Sequence, residues 1–325
     1  MDMLVPDIEA TREKLGRVLP ALEVEHFMPL IARINRLKRE KNAVILAHNY
    51  QTPEIFHGVA DIVGDSLKLA RDAKDAEADI ILVAGVHFMA ETAKLLNPQR
   101  KVLIPSTEAG CSLASSITAE DVRLLRARYP GVPVVTYVNT SAAVKAESDI
   151  CCTSANVVDI IESLGVPRVI CLPDQYLAKY AASLTKVEVM SWAGSCEVHE
   201  RFTGAELRAY RAADPGLVIL AHPECPPDVL KEADYVGSTA GMSDYVTDKR
   251  PARVVLITEC SMSDNVAIAN PETQFVRPCN LCPHMKRITL ETILAALEKE
   301  QFEIHIDPAL AARAVMPIER MLAVK

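Results

Sequence analysis

The sequence predicts an α/β protein made of three αβα domains, related by a pseudo-threefold axis, with short parallel sheets. Apolar runs of strand length recur along the chain, amphipathic helical patterns lie between them, and polar residues repeat in the same register within each unit. Short apolar runs alternating with amphipathic helices are the pattern of βαβ units, whose parallel strands need helical crossovers.

The first run of each unit is AVILAHNY (43–50), VPVVTYVN (132–139) and GLVILAHP (216–223). About 36 residues after each start come DIILVAG from 79, RVICLPD from 168 and RVVLITE from 253. Some 20 further on lie KVLIPS from 101, EVMSWAG from 188 and TQFVRP from 273. Helical patterns such as DSLKLARDAKDA, FMAETAKLL and ANVVDIIESL separate them. A helical segment over 1–40 precedes units over 41–130, 131–214 and 215–288, and a helical segment over 289–325 packs on them. Within these flanks, EVEHFMPLIARINRLKRE (23–40) and TLETILAALEKE (289–300) each carry an apolar face, and PALAARAVMPIERML (308–322) reads as broken at Pro317.

The polar register marks a shared site. The first strands end in the pairs His48 and Tyr50, Tyr137 and Asn139, and His222 and Glu224. Alternate residues of a strand face the same side. At 15 or 16 residues beyond each pair, Ser66, Ser154 and Thr239 open a helix, where N–H groups and the helix dipole favour an anion. Taken singly, each hydroxyl reads as the cap of its own helix. Three copies in register beside paired polar residues favour a common pocket.

Each unit also ends in a cysteine: Cys111, Cys196 and Cys282, spaced by 85 and 86 residues. A threefold arrangement brings three thiolates to one point at the carboxyl ends of the strands. All-thiolate surroundings suit an iron–sulfur cluster or structural zinc. A 4Fe-4S cluster held by three cysteines keeps one iron open as a Lewis acid, which makes the fold one of units arranged around a central cluster. The rival is a redox pair of Cys279 and Cys282, whose CxxC spacing suits it. Cys225 and Cys171 read as packed thiols, and Lys249 as a pocket residue or a surface turn. His199 and Glu200 read as groups supporting the site or as solvated loop residues.

The formal charge of −8 argues against nucleic acid or an anionic membrane as main partner. No apolar run approaches a membrane-spanning length, and MDMLVPDIEATREKLG has no secretory pattern, so a cytoplasmic protein is expected.

The stretches AHNYQTPEI, VADIVGDS, EAGCSLA, TYVNTSAAVKA, DICCTSAN, AGSCEVHERF, AHPEC, VGSTAGM and CPHMKRITLE, in that order, resemble the quinolinate synthase family over nearly the whole chain. The resemblance implies condensation of iminoaspartate with dihydroxyacetone phosphate to quinolinate, with loss of phosphate and two waters, in NAD biosynthesis. It implies a 4Fe-4S cluster on Cys111, Cys196 and Cys282, and functional coupling to L-aspartate oxidase, which supplies the imine. Substrate-pocket residues of the family map onto His48, Tyr50, Ser66, Tyr137, Asn139, Ser154, His222, Glu224 and Thr239. Among these, Tyr50, His222 and Glu224 are the expected proton-transfer groups, with Glu224 protonated or facing the amino-bearing carbon. His48, Ser66, Tyr137, Asn139, Ser154 and Thr239 are expected to hold substrate oxygens. Another open-iron hydro-lyase and a thiol-based sensor using Cys279 and Cys282 are the alternatives.

Overall fold

The computed structural model describes residues 8–75 and 77–324; part of the expected N-terminal segment, residues 1–7, lies outside the described residues. Twelve strands form three four-stranded sheets. The first holds β1 (Ala43–His48), β2 (Ile62–Gly64), β3 (Ile80–Ala84) and β4 (Lys101–Leu103). The second holds β5 (Val134–Tyr137), β6 (Ile150–Cys152), β7 (Arg168–Leu172) and β8 (Glu188–Ser191). The third holds β9 (Val218–Ala221), β10 (Tyr235–Val236), β11 (Arg253–Ile257) and β12 (Gln274–Val276). Their orders are β2-β1-β3-β4, β6-β5-β7-β8 and β10-β9-β11-β12, one order used three times. Every pairing between these strands is parallel.

Helices cover both faces of such sheets, so the central strands are apolar throughout rather than alternating. β3 is buried at all its positions, and β1 at all but Val44. The sheets therefore read in sequence as continuous Ile, Leu, Val and Ala runs. The strands β2, β6 and β10 were not anticipated. At two or three residues they are too short to show a period, and they are recruited by pairing beside β1, β5 and β9.

One apolar core is shared by the first two units and the terminal helices, while the third unit packs a separate cluster on each face of its sheet. The helix Leu290–Lys299 lies on the helix Ala21–Glu40, and the helix Pro308–Ala323 lies against the helix Ala142–Ala146 and β6. This last helix corrects the expected break, because it runs unbroken through Pro317. An interior proline costs about 3 kcal/mol. The face made by Ala314, Pro317, Ile318 and Met321 is buried, and that apolar burial offsets the cost.

Because all strands of a sheet run the same way, the segments after β1, β5 and β9 leave from one edge. The turns after β2 and β10 repeat as Gly64-Asp65-Ser66 and Gly237-Ser238-Thr239. A Cβ at Gly237 would lie 2.5 Å from the Tyr235 hydroxyl oxygen, so only glycine lets strand pass into helix there without displacing that ring.

Candidate active site

One cavity, about 730 Å³ out to its open mouth, lies where the three units meet. Its wall contains all of the residues singled out from the repeat: His48, Tyr50, Ser66, Cys111, Tyr137, Asn139, Ser154, Cys196, His222, Glu224, Thr239 and Cys282. β1 and β5 deliver His48 and Tyr137 at their last positions, and His222 directly follows β9. No lysine or arginine lines the wall among the described residues.

Neither Ser66 nor Thr239 caps its own helix. The helix Ser66–Lys74 is capped by Asp65, whose side chain accepts from the Lys68 amide, and the helix Thr239–Lys249 by Ser238, which accepts from the Gly241 amide. Ser154 stands in a turn ahead of the helix Val157–Ser163. The capping residue in each of the first two cases lies one position earlier, so the hydroxyls at 66 and 239 are released from that duty. Thr239 Oγ1 accepts from Asn49 Nδ2 at 2.9 Å, and Ser154 Oγ lies 3.2 Å from His222 Nε2.

The histidines of the first and third units are built alike. His48 Nδ1 accepts from the Tyr50 amide at 3.2 Å, and His222 Nδ1 accepts from the Glu224 amide at 3.4 Å. With Nδ1 an acceptor, the neutral ring carries its proton on Nε2. Burial holds His48 down to about 4 and His222 to about 3, although Glu224 pulls both upward. Both rings are therefore neutral near pH 7.

Glu224 is 3 % exposed and central. Its Oε1 accepts from the Tyr137 hydroxyl at 2.6 Å, and its Oε2 lies 2.8 Å from His199 Nδ1. That second contact is off line for a hydrogen bond and leaves His199 Nδ1 without an aligned partner. Burial opposes ionisation of Glu224, but His199, His222 and the Tyr137 hydroxyl outweigh it and bring the carboxyl below its ordinary range. The Tyr137 hydroxyl donates to it, and the direction of the shift favours its charged form. Tyr50 and Tyr137 shift the opposite way. Burial first, and then the neighbouring carboxylate, push both phenols well above 10, so they remain proton donors.

The structure also resolves residues the sequence left open. His199 is 1 % exposed, stacks on His222 at 4.7 Å between ring centroids and lies 2.9 Å from Thr258 Oγ1. Glu200 is exposed and takes a bond from Ser195 instead. Cys225 is a packed thiol bonded to the Ile257 carbonyl, and Lys249 is exposed at a helix end. Cys279 faces Cys260, Sγ to Sγ 3.9 Å, rather than Cys282. Thr258, Glu259 and Lys286 had no signal, since they lie outside the threefold register.

The metal-capable donors that converge among the described residues are Cys196, His199 and Glu224, with ligand atoms all within 4.8 Å of one another. This corrects the expected single 4Fe-4S cluster held by three cysteines. Cys111 and Cys282 line the same cavity but stand outside this group, so only one cysteine takes part. A mixed thiolate, imidazole and carboxylate set does not fit a group held by three thiolates. No step of the chemistry below passes through such a group.

Comparison with known proteins gives a consistent result. The family profile described as "Quinolinate synthetase A protein" matches residues 32–323. "Quinolinate synthase 2" of Mesorhizobium japonicum is 65% identical over 324 residues, spanning 100% of both chains. "Quinolinate synthase" of Xylella fastidiosa is 64% identical over 90% of this chain and 87% of its own. That of Caulobacter vibrioides is 57% identical over 98% of this chain and 89% of its own.

Proposed function

We propose residue roles from the premise that this chain belongs to the quinolinate synthase family, whose profile spans residues 32–323. Members are iron–sulfur enzymes. The chain is accordingly an enzyme that condenses iminoaspartate with dihydroxyacetone phosphate to quinolinate, releasing phosphate and two waters, in NAD biosynthesis.

Glu224 is the base and Tyr50 the acid. The observation that carries this reading is the buried Glu224 carboxyl between the Tyr137 hydroxyl at 2.6 Å and His199 at 2.8 Å. The shifts leave Glu224 in the charged form that can accept a proton and Tyr50 in the protonated form that can give one to a leaving hydroxyl. His222, neutral and bonded through Nε2 to Ser154, passes protons between the wall and the substrate. Closing a pyridine ring from an imine and a triose moves protons at several atoms, which a set of unlike groups within one cavity can serve.

Binding is the work of dipoles rather than full charges. The substrates bring carboxylates and a phosphate to a wall without lysine or arginine. Ser66, Ser154 and Thr239, with the N–H of His48, donate to those oxygens. Asn139 Oδ1 is buried without a partner, an acceptor for an N–H or O–H of the substrate.

The −8 charge supports a protein without nucleic acid or anionic-membrane partners, and the cytoplasm is the proposed compartment. No described helix is long and apolar enough to cross a membrane. Functional coupling to L-aspartate oxidase follows from the lability of the imine substrate. The testing experiment supplies anaerobically purified protein with iminoaspartate, formed in place from oxaloacetate and ammonia, and with dihydroxyacetone phosphate. Quinolinate that forms only with both substrates supports the assignment; its absence from active-site-intact protein sinks it.

A further inference from the structure

The carbonyls of the segment after β1 that carries Tyr50 are held by the third unit. Asn265, on the helix Ser261–Ala269, donates through Nδ2 to the carbonyls of Asn49 at 3.1 Å and Gln51 at 2.7 Å. Lys286 donates to the carbonyl between them, that of Tyr50, at 3.0 Å. Three successive carbonyl oxygens are thus fixed from one side. At the far end of the same side chain, the Tyr50 hydroxyl lies 2.5 Å from Thr258 Oγ1 and 3.4 Å from His199 Nε2.

The two ends are linked behind the cavity wall. Thr258 is followed by Glu259, which has no exposed surface. Glu259 Oε1 pairs with Lys286 Nζ at 3.0 Å and lies 3.4 Å from the Cys282 amide, and Oε2 accepts from the Ser261 amide at 2.8 Å. Lys286 also donates to Ser261 Oγ at 2.6 Å. An ion pair this deep is a poor source of stability, because desolvation of both charges offsets their attraction. Its geometric consequence is definite. The ammonium that holds the Tyr50 backbone is fixed by the residue next to the one that holds the Tyr50 hydroxyl.

The geometry points to Lys286 and Thr258 as positioning residues, joined through Glu259, that grip Tyr50 at its carbonyl and its hydroxyl and set the point from which it delivers a proton. This rests on the reading of Tyr50 as the acid. Misplacement by about 1 Å can cost about a hundredfold in rate, so the clamp has a kinetic signature separate from stability.

The test is a pair of double-mutant cycles on anaerobically purified holoenzyme, Lys286→Met with Tyr50→Phe and Thr258→Val with Tyr50→Phe, reading kcat and KM for dihydroxyacetone phosphate. Each positioning variant alone is expected to lower kcat about tenfold or more with KM within about twofold, and to lower it less than about twofold further when the Tyr50 hydroxyl is already gone. Lys286→Arg, which keeps the donor, restores most of the loss. Losses that multiply in full in the Tyr50→Phe background overturn the clamp, as do single variants that keep the parent kcat while Tyr50→Phe loses it. Tyr50→Phe with the parent kcat sinks the acid assignment itself, and the clamp with it. Should Lys286→Met fail to fold with Glu259 left unpaired, the isosteric Thr258→Val cycle decides alone.

Discussion

The Tyr137 hydroxyl, at the end of the second unit's first strand, donates across 2.6 Å to Glu224, just beyond the first strand of the third. The first member of one unit's polar pair meets the second member of another's as donor and acceptor, so the pseudo-symmetry brings both to one centre. Tyr137→Phe removes one donor from a carboxylate with almost no solvent. We expect a destabilisation of about 1–3 kcal/mol, read by denaturant unfolding, together with a rise in the Glu224 pKa. Unchanged stability would mean that the bond contributes nothing.

Ser66 and Asp65 are neighbours with separate duties. Asp65 accepts from the Lys68 amide and caps the helix, and Ser66 faces the cavity. Asp65→Ala should cost about 1 kcal/mol of stability. Ser66→Ala should leave stability within about 0.5 kcal/mol and raise KM for the anionic substrates. Thermal unfolding and steady-state kinetics on the two variants check this, and the reversed pattern would restore Ser66 as a mere cap.

Lys145 is fully buried and donates to the carbonyls of Val138 and Thr140, on either side of Asn139. Burial lowers its pKa, and the opposing pulls of Cys151, Glu91 and Cys111 do not restore it. Lys145→Met leaves both carbonyls short of a donor. The variant should lose about 1–3 kcal/mol of stability and bind substrate more weakly through a displaced Asn139. Isothermal titration with dihydroxyacetone phosphate and denaturant unfolding read the two effects.

His57, outside the cavity, gives a pH signature. Burial holds it down to about 4, although a bond it gives to the Asn265 backbone pulls the other way. The unfolded imidazole titrates near 6.5, so between 6.5 and 4 the unfolded chain binds more protons. The stability contribution is therefore whole above 6.5 and is lost as pH falls towards 4, at no more than about 1.4 kcal/mol per pH unit. His57→Leu should flatten the fall of melting temperature between pH 7 and 5 relative to the parent. Identical slopes would contradict it.

The cavity was legible because threefold repetition fixes register. His48, Tyr137 and His222 occupy matched strand ends, and a strand end in a parallel sheet faces a ligand site. His199 was left open because it sits on a single 3₁₀ turn, His199–Arg201, where no periodicity separates a buried ring from a solvated one. Glu259 and Lys286 were invisible because their partnership joins a loop to a single 3₁₀ turn far along the chain. The helix at Pro317 was misread for a related reason, since local propensity argued for a break and only the buried face shows why it continues. The groups that draw Glu224 downward, Tyr137, His199 and His222, come from β5 and from the segments after β8 and β9, which meet only in the folded chain.

The most direct measurement is quinolinate formation by Glu224→Gln beside the parent, with dihydroxyacetone phosphate binding measured on the same samples. The substitution keeps the shape and the bond from Tyr137 and removes the charge. Turnover should fall by about a hundredfold or more with binding retained. Turnover near that of the parent would contradict Glu224 as the base.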